Sequence, residues 1–496
     1  SEMCIRDRYL ISLYLPTESA VISQITRLRL NTMERRLISD LSMIFLNNGL
    51  IFKCNIMRLI KIYPAMIGLL SLLFIPTGCE QEEILTLEDF PEIKGNEGND
   101  PENEFIVEPD NGIDRVNSLT NAIKEHGDGT YILRRGGLYY FEGKNAIQNN
   151  VIIKSEEAEE GNLPQIQPIA DANGAVGNNM INIEGNITLE NVYINAIDAA
   201  TGKVPDRVLV VDAPGLTLTL KNCFVDNCKQ TLFRLNTANN KVLIDNSTIR
   251  NTANPTSPDN GRIVDTRGNN QESIIINNCY IYCQTDRIVR LADSGTAYCA
   301  LTHNTFYNVG KHLELNYVID LLIENNIFAN YGWKLADSPG ILWDIKFAKA
   351  ENDPRVKDAK VTIRNNNFYF DSVLDDILKQ FPSFKHRTEL SDDAKKMKEE
   401  GRFIEENNFS EVLSFDYAPP LPTEYWKLFF EKGGLPSMGD ATGLPFAVDE
   451  DGIEGIVFGE TFTFNYPANT TSAIASTTGA VSYTHLTLPT ILRVEI

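Results

Sequence analysis

The stretch Ile187-Thr188-Leu189-Glu190-Asn191-Val192-Tyr193-Ile194-Asn195 carries the phrase that decides the fold: alternating apolar residues, an Asn, one further residue, then an aromatic or aliphatic one. The phrase returns at Leu218-Thr219-Leu220-Lys221-Asn222-Cys223-Phe224-Val225, at Val242-Leu243-Ile244-Asp245-Asn246-Ser247-Thr248-Ile249 and at Ile274-Ile275-Ile276-Asn277-Asn278-Cys279-Tyr280-Ile281. Later copies are Ala300-Leu301-Thr302-His303-Asn304-Thr305-Phe306, Leu321-Leu322-Ile323-Glu324-Asn325-Asn326-Ile327-Phe328 and Val361-Thr362-Ile363-Arg364-Asn365-Asn366-Asn367-Phe368. Aligned on Asn191, Asn222, Asn246, Asn278, Asn304, Asn326 and Asn366, the copies lie 31, 24, 32, 26, 22 and 40 residues apart. Short alternating runs at such spacing mean one supersecondary unit per repeat. A propeller blade needs four strands and about 40 to 50 residues, so most of these intervals fit the smaller coil of a parallel β-helix. Equivalent residues then stack at about 4.8 Å. The seven Asn are expected to form a side-chain amide ladder, with the rings of Tyr193, Phe224, Tyr280, Phe306, Phe328 and Phe368 stacked beside it.

Outward from the repeat, Ser118 to Lys124 reads as an amphipathic helix turning at Gly127 into the run Gly129-Thr130-Tyr131-Ile132-Leu133. Such a helix covers the apolar end of a solenoid. Residues 371–400 interrupt the pattern with helical, solvent-facing segments, an insertion or lid, and Ile404 to Phe409 offers one last coil. The solenoid is expected over 113–409, a C-terminal extension over 410–480, and a flexible tether rich in Glu, Asp, Asn, Gly and Pro over 79–112.

These features together resemble the pectate-lyase-like, right-handed parallel β-helix proteins over about Asn117 to Phe409, and particularly the surface lipoproteins of polysaccharide-utilisation systems. The resemblance implies an all-β, single-stranded right-handed solenoid that binds or processes polysaccharide. It also implies, as one alternative, a β-eliminating lyase that neutralises a uronate carboxylate with Ca²⁺ or cationic side chains and uses Lys or Arg as base.

Composition restricts the partners. The 496 residues hold 45 Lys or Arg against 67 Asp or Glu, a formal charge of -22, which repels phosphate backbones and argues against a nucleic-acid partner. Met3-Cys4-Ile5-Arg6-Asp7 can be encoded by DNA whose reverse complement reads Val481-Ser482-Tyr483-Thr484-His485, so both ends resemble translated sequencing-adapter DNA. Residues 1–56 and 481–496 are accordingly set apart from the fold. Met57 to Lys61 opens a basic segment, followed by the apolar run Ala65 to Ile75 and by Gly78-Cys79, a signal-peptide layout over 57–78. Gly78-Cys79 resembles a bacterial lipoprotein cleavage site, which makes Cys79 the lipidation candidate and the membrane a partner through that anchor alone. With Glu80-Gln81-Glu82-Glu83 resembling an acidic export tag, the expected location is the outer membrane or surface of a Gram-negative cell.

Cys223, Cys228, Cys279, Cys283 and Cys299 remain after Cys4, Cys54 and Cys79, an odd number without zinc spacing. Cys223 and Cys279 share one repeat register and read as buried small side chains.

Chemistry is expected on a second strand of each coil, where one charge sits between apolar neighbours: Phe233-Arg234-Leu235, Val289-Arg290-Leu291, Leu313-Glu314-Leu315 and Trp333-Lys334-Leu335. Alternation turns the charge outward. Stacking then aligns Arg234, Arg262 or Arg267, Arg290, Glu314 and Lys334 along one face suited to a linear glycan. Arg267, Arg290, Lys311 and Lys334 are the candidate catalytic cations, with His303 and His312 as alternative acid or base groups. Arg234, Arg262 and Glu314 are candidate glycan ligands, and Tyr280, Tyr282, Tyr307, Trp333 and Trp343 are candidate aromatic platforms. No phosphate loop, Rossmann fingerprint, HExxH helix or GxSxG elbow is present. Asp212, Asp226, Asp245 and Asp265 sit at different repeat phases, whereas an inverting glycosidase of this fold needs several clustered Asp. The readings that remain are a glycan-binding lipoprotein, a β-eliminating lyase, and a structural or adhesive solenoid.

Overall fold

The computed structural model describes residues 103–110, 117–143, 146–157, 161–252, 260–284, 286–291, 295–310, 313–335, 341–347, 353–372, 379, 384–417 and 463–465. They form a right-handed parallel β-helix: sheet A has eleven strands, and sheets B and C have nine each. Each coil runs from an A strand through a sharp turn to a B strand, then to a C strand and back to A. One coil, for example, comprises Ile187–Glu190, Tyr193–Asn195 and Arg207–Val211 before Thr217–Lys221 opens the next. Inward residues such as Leu189, Leu220, Ile244, Ile276, Leu301, Ile323 and Ile363 fill one continuous core.

The A-to-B turn explains the Asn-rich phrase, with a correction to its register. Glu190, Lys221, Asp245, Asn277, Thr302, Glu324, Arg364 and Glu406 lie side by side in sheet A. The next residue in each coil has positive φ: Asn191, Asn222, Asn246, Asn278, His303, Asn325, Asn365 and Asn407. A left-handed residue at every coil favours Asn, whose short side chain tolerates that region. Asn304, Asn326 and Asn366 therefore do not continue the column of Asn191, Asn222, Asn246 and Asn278. They sit one residue later, with Cys223, Ser247, Cys279 and Asn408.

Two ladders result. In the outer one, Asn246 Nδ2 donates to Asn222 Oδ1 at 2.7 Å and Asn278 Nδ2 to Asn246 Oδ1 at 3.0 Å. In the inner one, Asn304 Nδ2 donates to Asn326 Oδ1 at 3.0 Å, Asn326 Nδ2 to Asn366 Oδ1 at 2.9 Å and Asn366 Nδ2 to Asn408 Oδ1 at 3.0 Å. The same amides also serve backbone carbonyls of the neighbouring coil, those of Ile276, Leu301 and Ile323. Buried corner carbonyls thereby gain donors that the sheets cannot supply.

The aromatic expectation divides at the same place, because a one-residue shift turns a side chain to the opposite face. Phe306, Phe328 and Phe368 stack in the core at 4.8 and 4.7 Å. Tyr193 and Phe224 meet edge-on at 5.3 Å in the alternate column, where Thr248 and Tyr280 follow.

Both ends are closed. Helix α1 (Ser118–His126) buries Leu119 and Ile123 against the first coils, and Gly127, at φ +80°, donates its N–H to the Ile123 carbonyl. Upstream of it, Glu104–Val107 pairs with Gly129–Leu133 as the edge strand of sheet A, within the segment expected to be a tether. Phe105 stacks on His126 at 4.2 Å, which fixes that strand to the cap. At the other end, helix α2 (Asp392–Glu399) begins at Ser391, whose Oγ accepts from the Ala394 N–H. Its Ala394 and Met397 are buried in the core, so this part of the expected solvent-facing insertion caps the solenoid. Glu389–Leu390 extends sheet C, and Phe403–Glu406 is the last strand of sheet A.

Cys223, Cys228, Cys279 and Cys299 are free and buried. Burial pushes the Cys223 and Cys299 thiols up to about 12, and Cys223 Sγ donates to the Leu189 carbonyl at 3.3 Å. No helix among the described residues is long and apolar enough to cross a membrane.

Candidate functional site

Sheet C departs from simple alternation. In successive coils two neighbouring residues are buried together, Val208-Leu209, Leu232-Phe233, Ile263-Val264 and Ile288-Val289. The residues on either side are then free to face away from the core. One such column contains Asn179, Arg207, Thr231 and Arg262. Another runs through Val210, Arg234, Asp265, Arg290, Glu314 and Asp344. Arg234, Arg290 and Glu314 thus share a column. The position expected for Arg262 or Arg267 belongs to Asp265. Lys334 leaves the column altogether: Trp333–Leu335 pairs antiparallel with Phe384–His386, and Asp344 follows Glu314 instead.

Around this column three carboxylates and three guanidiniums alternate in a closed ring. Asp286 accepts from Arg262 Nε at 2.7 Å, and Arg262 also reaches Asp265 at 2.8 Å. Asp265 accepts from Arg290 at 3.2 Å, and Arg290 stands 3.8 Å from Glu314. Glu314 lies 2.8 Å from Arg287, which returns to Asp286 at 2.9 Å. Asp265 and Asp286 lie deepest, with side-chain exposures of 1% and 0%; Arg262, Glu314 and Arg287 follow at 9%, 13% and 15%, and Arg290 and Arg267 are the most open at 25% and 40%. Burial pushes the Asp286 carboxyl up to about 6 despite Arg287 and Arg262 beside it.

Four further arginines, Arg207, Arg234, Arg267 and Arg387, border the ring on one side and the other. Arg234 donates to Asn236 Oδ1 at 3.0 Å and Arg207 to Asn179 Oδ1 at 3.1 Å, both neutral partners. Burial, with the charges of Arg207 and Arg267, lowers the Arg234 guanidinium to about 10. Burial, with the charge of Arg287, lowers Arg387 likewise to about 10. The face therefore assembles Arg207, Arg234, Arg262, Arg267, Arg287, Arg290 and Arg387 around Asp265, Asp286, Glu314 and Asp344, a local excess of positive charge on a chain of net charge -22.

Several candidates fall elsewhere. Tyr280, Tyr282 and Tyr307 belong to sheet B and are buried, so they form no open platform. Trp343 faces the core, 6.3 Å from Phe328 and 5.7 Å from Phe368 between ring centroids, because its position pairs with the inward Leu313. His303 occupies the A-to-B turn, on a different edge of the coil from the arginines. Cys79, Lys311 and His312, and the side chains of Trp333 and Lys334, lie outside the described residues. Among the described residues no group of three or more His, Cys, Asp or Glu is placed to hold a metal ion.

Asp265, Asp286, Arg287, Arg207, Arg387 and Asp344 were missed by the sequence reading. A signal for part of the set is present: Arg207-Val208-Leu209-Val210, Arg262-Ile263-Val264-Asp265 and Arg287-Ile288-Val289-Arg290 repeat Arg followed by two aliphatic residues. A scan against protein-family models finds no match to this chain, and a search of curated proteins finds none either.

Proposed function

We propose that the outer face of sheet C binds polysaccharide, and that the protein is a glycan-binding component of the bacterial cell envelope anchored through Cys79. The observation that carries this reading is the layering of the face. The Asp265 and Asp286 carboxylates are buried beneath the more open Arg267, Arg287 and Arg290 guanidiniums, so the solvent side there is cationic although the chain as a whole is anionic. Arginine forks suit carboxylate and sulfate groups, and coils repeating at about 4.8 Å make an extended groove commensurate with a linear chain. Binding is preferred to β-elimination because Arg290, a candidate base, is engaged by Asp265 and Glu314.

The test is a panel of neutral and acidic polysaccharides, with and without Ca²⁺. Retention on the glycan and ultraviolet absorbance of unsaturated products are measured together. Retention without absorbance is expected. Absorbance that rises with time would replace the binding reading by the lyase, and neither signal would leave the structural or adhesive solenoid. The anchor is tested separately, since Cys79→Ala should abolish lipid labelling and release the protein from membranes.

A further inference from the structure

The arginines of sheet C fall into two electrostatic classes. Arg262, Arg287 and Arg290 alternate with Asp265, Asp286 and Glu314 in a ring whose charges cancel. Arg207, Arg234 and Arg267 stand beside it, the first two with neutral side-chain partners and Arg267 at the edge of a carboxylate that the ring already uses. Among the described residues, the side-chain hydrogen-bond partners of Arg207 and Arg234 are the amide oxygens of Asn179 and Asn236. Arg267 comes no nearer than 3.8 Å to Asp265, which already accepts from Arg262 and Arg290. Arg207 Nε is buried without a hydrogen-bond partner among the described residues. Arg267 is also one of three residues other than Asn and Gly with positive φ, at 55°, among the described residues. That conformation is disfavoured for a residue with a long side chain and is retained where the surroundings require it.

We infer that Arg207, Arg234 and Arg267, contributed by three successive coils, form a subsite for a tetrahedral oxyanion carried on the glycan, a sulfate or phosphate ester. The charges of Arg207 and Arg267 act on Arg234, and an anion among the three relieves that repulsion and supplies an acceptor for the buried Arg207 Nε. Geometry selects the tetrahedral class. A carboxylate presents two oxygens in one plane, whereas an ester sulfate or phosphate presents three peripheral oxygens to donors arriving from separate strands.

This inference rests on the glycan-binding reading and is tested so that the two fail separately. The full chain and its Arg234→Gln, Arg207→Gln and Arg234→Lys variants are titrated with sulfated, phosphorylated, uronate and neutral oligosaccharides of equal length. Melting is followed in parallel, with and without inorganic sulfate. Loss of one charge-assisted contact corresponds to about tenfold in affinity or more. Each Gln variant should therefore lose that factor for a sulfated or phosphorylated chain, Arg234→Lys should lose less, and all should keep their far-ultraviolet spectrum. Whichever ester binds more tightly identifies the source of the oxyanion. Sulfate should raise the melting temperature of the parent more than that of Arg234→Gln, a difference that cancels its general stabilising effect. If that difference appears but no oligosaccharide of any class binds, the subsite stands and the polysaccharide reading fails. Uronate chains binding as tightly as sulfated and phosphorylated ones, or Gln variants binding all chains as the parent does, would overturn the inference.

Discussion

Replacing His303 by Asn should change how stability depends on pH. His303 holds the left-handed turn position that Asn occupies in neighbouring coils, and it is buried. Its Nε2 lies 3.1 Å from Asn325 Nδ2, while Nδ1 is buried with no hydrogen-bond partner among the described residues. Protonation would add a charge to a site without an acceptor for it, and burial lowers the imidazole from 6.5 to about 4. The folded-state value is depressed, so the unfolded chain takes up the proton first. Stability is full above pH 6.5, declines as pH falls below that value, and has lost the whole contribution below about pH 4. A separation of that size corresponds to about 3 kcal/mol, of which about 2.5 should be gone by pH 4.5. His303→Asn removes the titration and extends the outer ladder with a residue suited to positive φ, so at pH 7 it should be neutral or mildly stabilising. Urea unfolding of both proteins at pH 7 and pH 4.5 isolates the effect, because every other titrating group is shared. The difference between the two proteins should widen by about 2 to 3 kcal/mol on acidification. An unchanged difference would show that the His303 imidazole can be protonated inside the turn, and the reasoning from burial would be wrong.

Three further expectations follow from packing. Phe328→Ala, which removes the middle ring of the Phe306–Phe328–Phe368 stack, should cost about 3 to 5 kcal/mol in urea unfolding. Asn326→Ala should cost about 3 kcal/mol, since it deprives Asn304, Asn366 and the Leu301 carbonyl of buried partners; Asn246→Ala, in the half-buried outer ladder, should cost about 1 to 2 kcal/mol. Arg262→Ala leaves the Asp265 and Asp286 carboxylates buried without their shared partner and should cost about 3 to 5 kcal/mol at neutral pH, with part of the loss recovered at pH 5 as Asp286 takes up a proton.

The sequence by itself determined the solenoid. Strand alternation, an Asn at each turn and intervals too short for a propeller blade are local properties, and each coil repeats them, so one interpretation satisfies all copies. It also placed Arg234, Arg290 and Glu314 on one strand position of successive coils, because a single charge between two apolar residues has only one way to face. Tertiary structure decided the register wherever two adjacent Asn compete. Asn325-Asn326 and Asn365-Asn366 offer the turn two choices, and His303-Asn304 offers a choice that composition resolves wrongly. A slip of one residue exchanges core and outer faces, which is why Phe306 and Tyr280 belong to different columns although their phrases look alike. The ion-pair ring was beyond reach for a related reason. Arg262, Asp265, Asp286, Arg287, Arg290 and Glu314 meet across coils whose loops differ in length, and sheet C adds a second inward residue that breaks the alternation from which outward charges are inferred. Local pattern fixes which residues can face outward, but the distances between charges on different coils exist only once the coils are stacked.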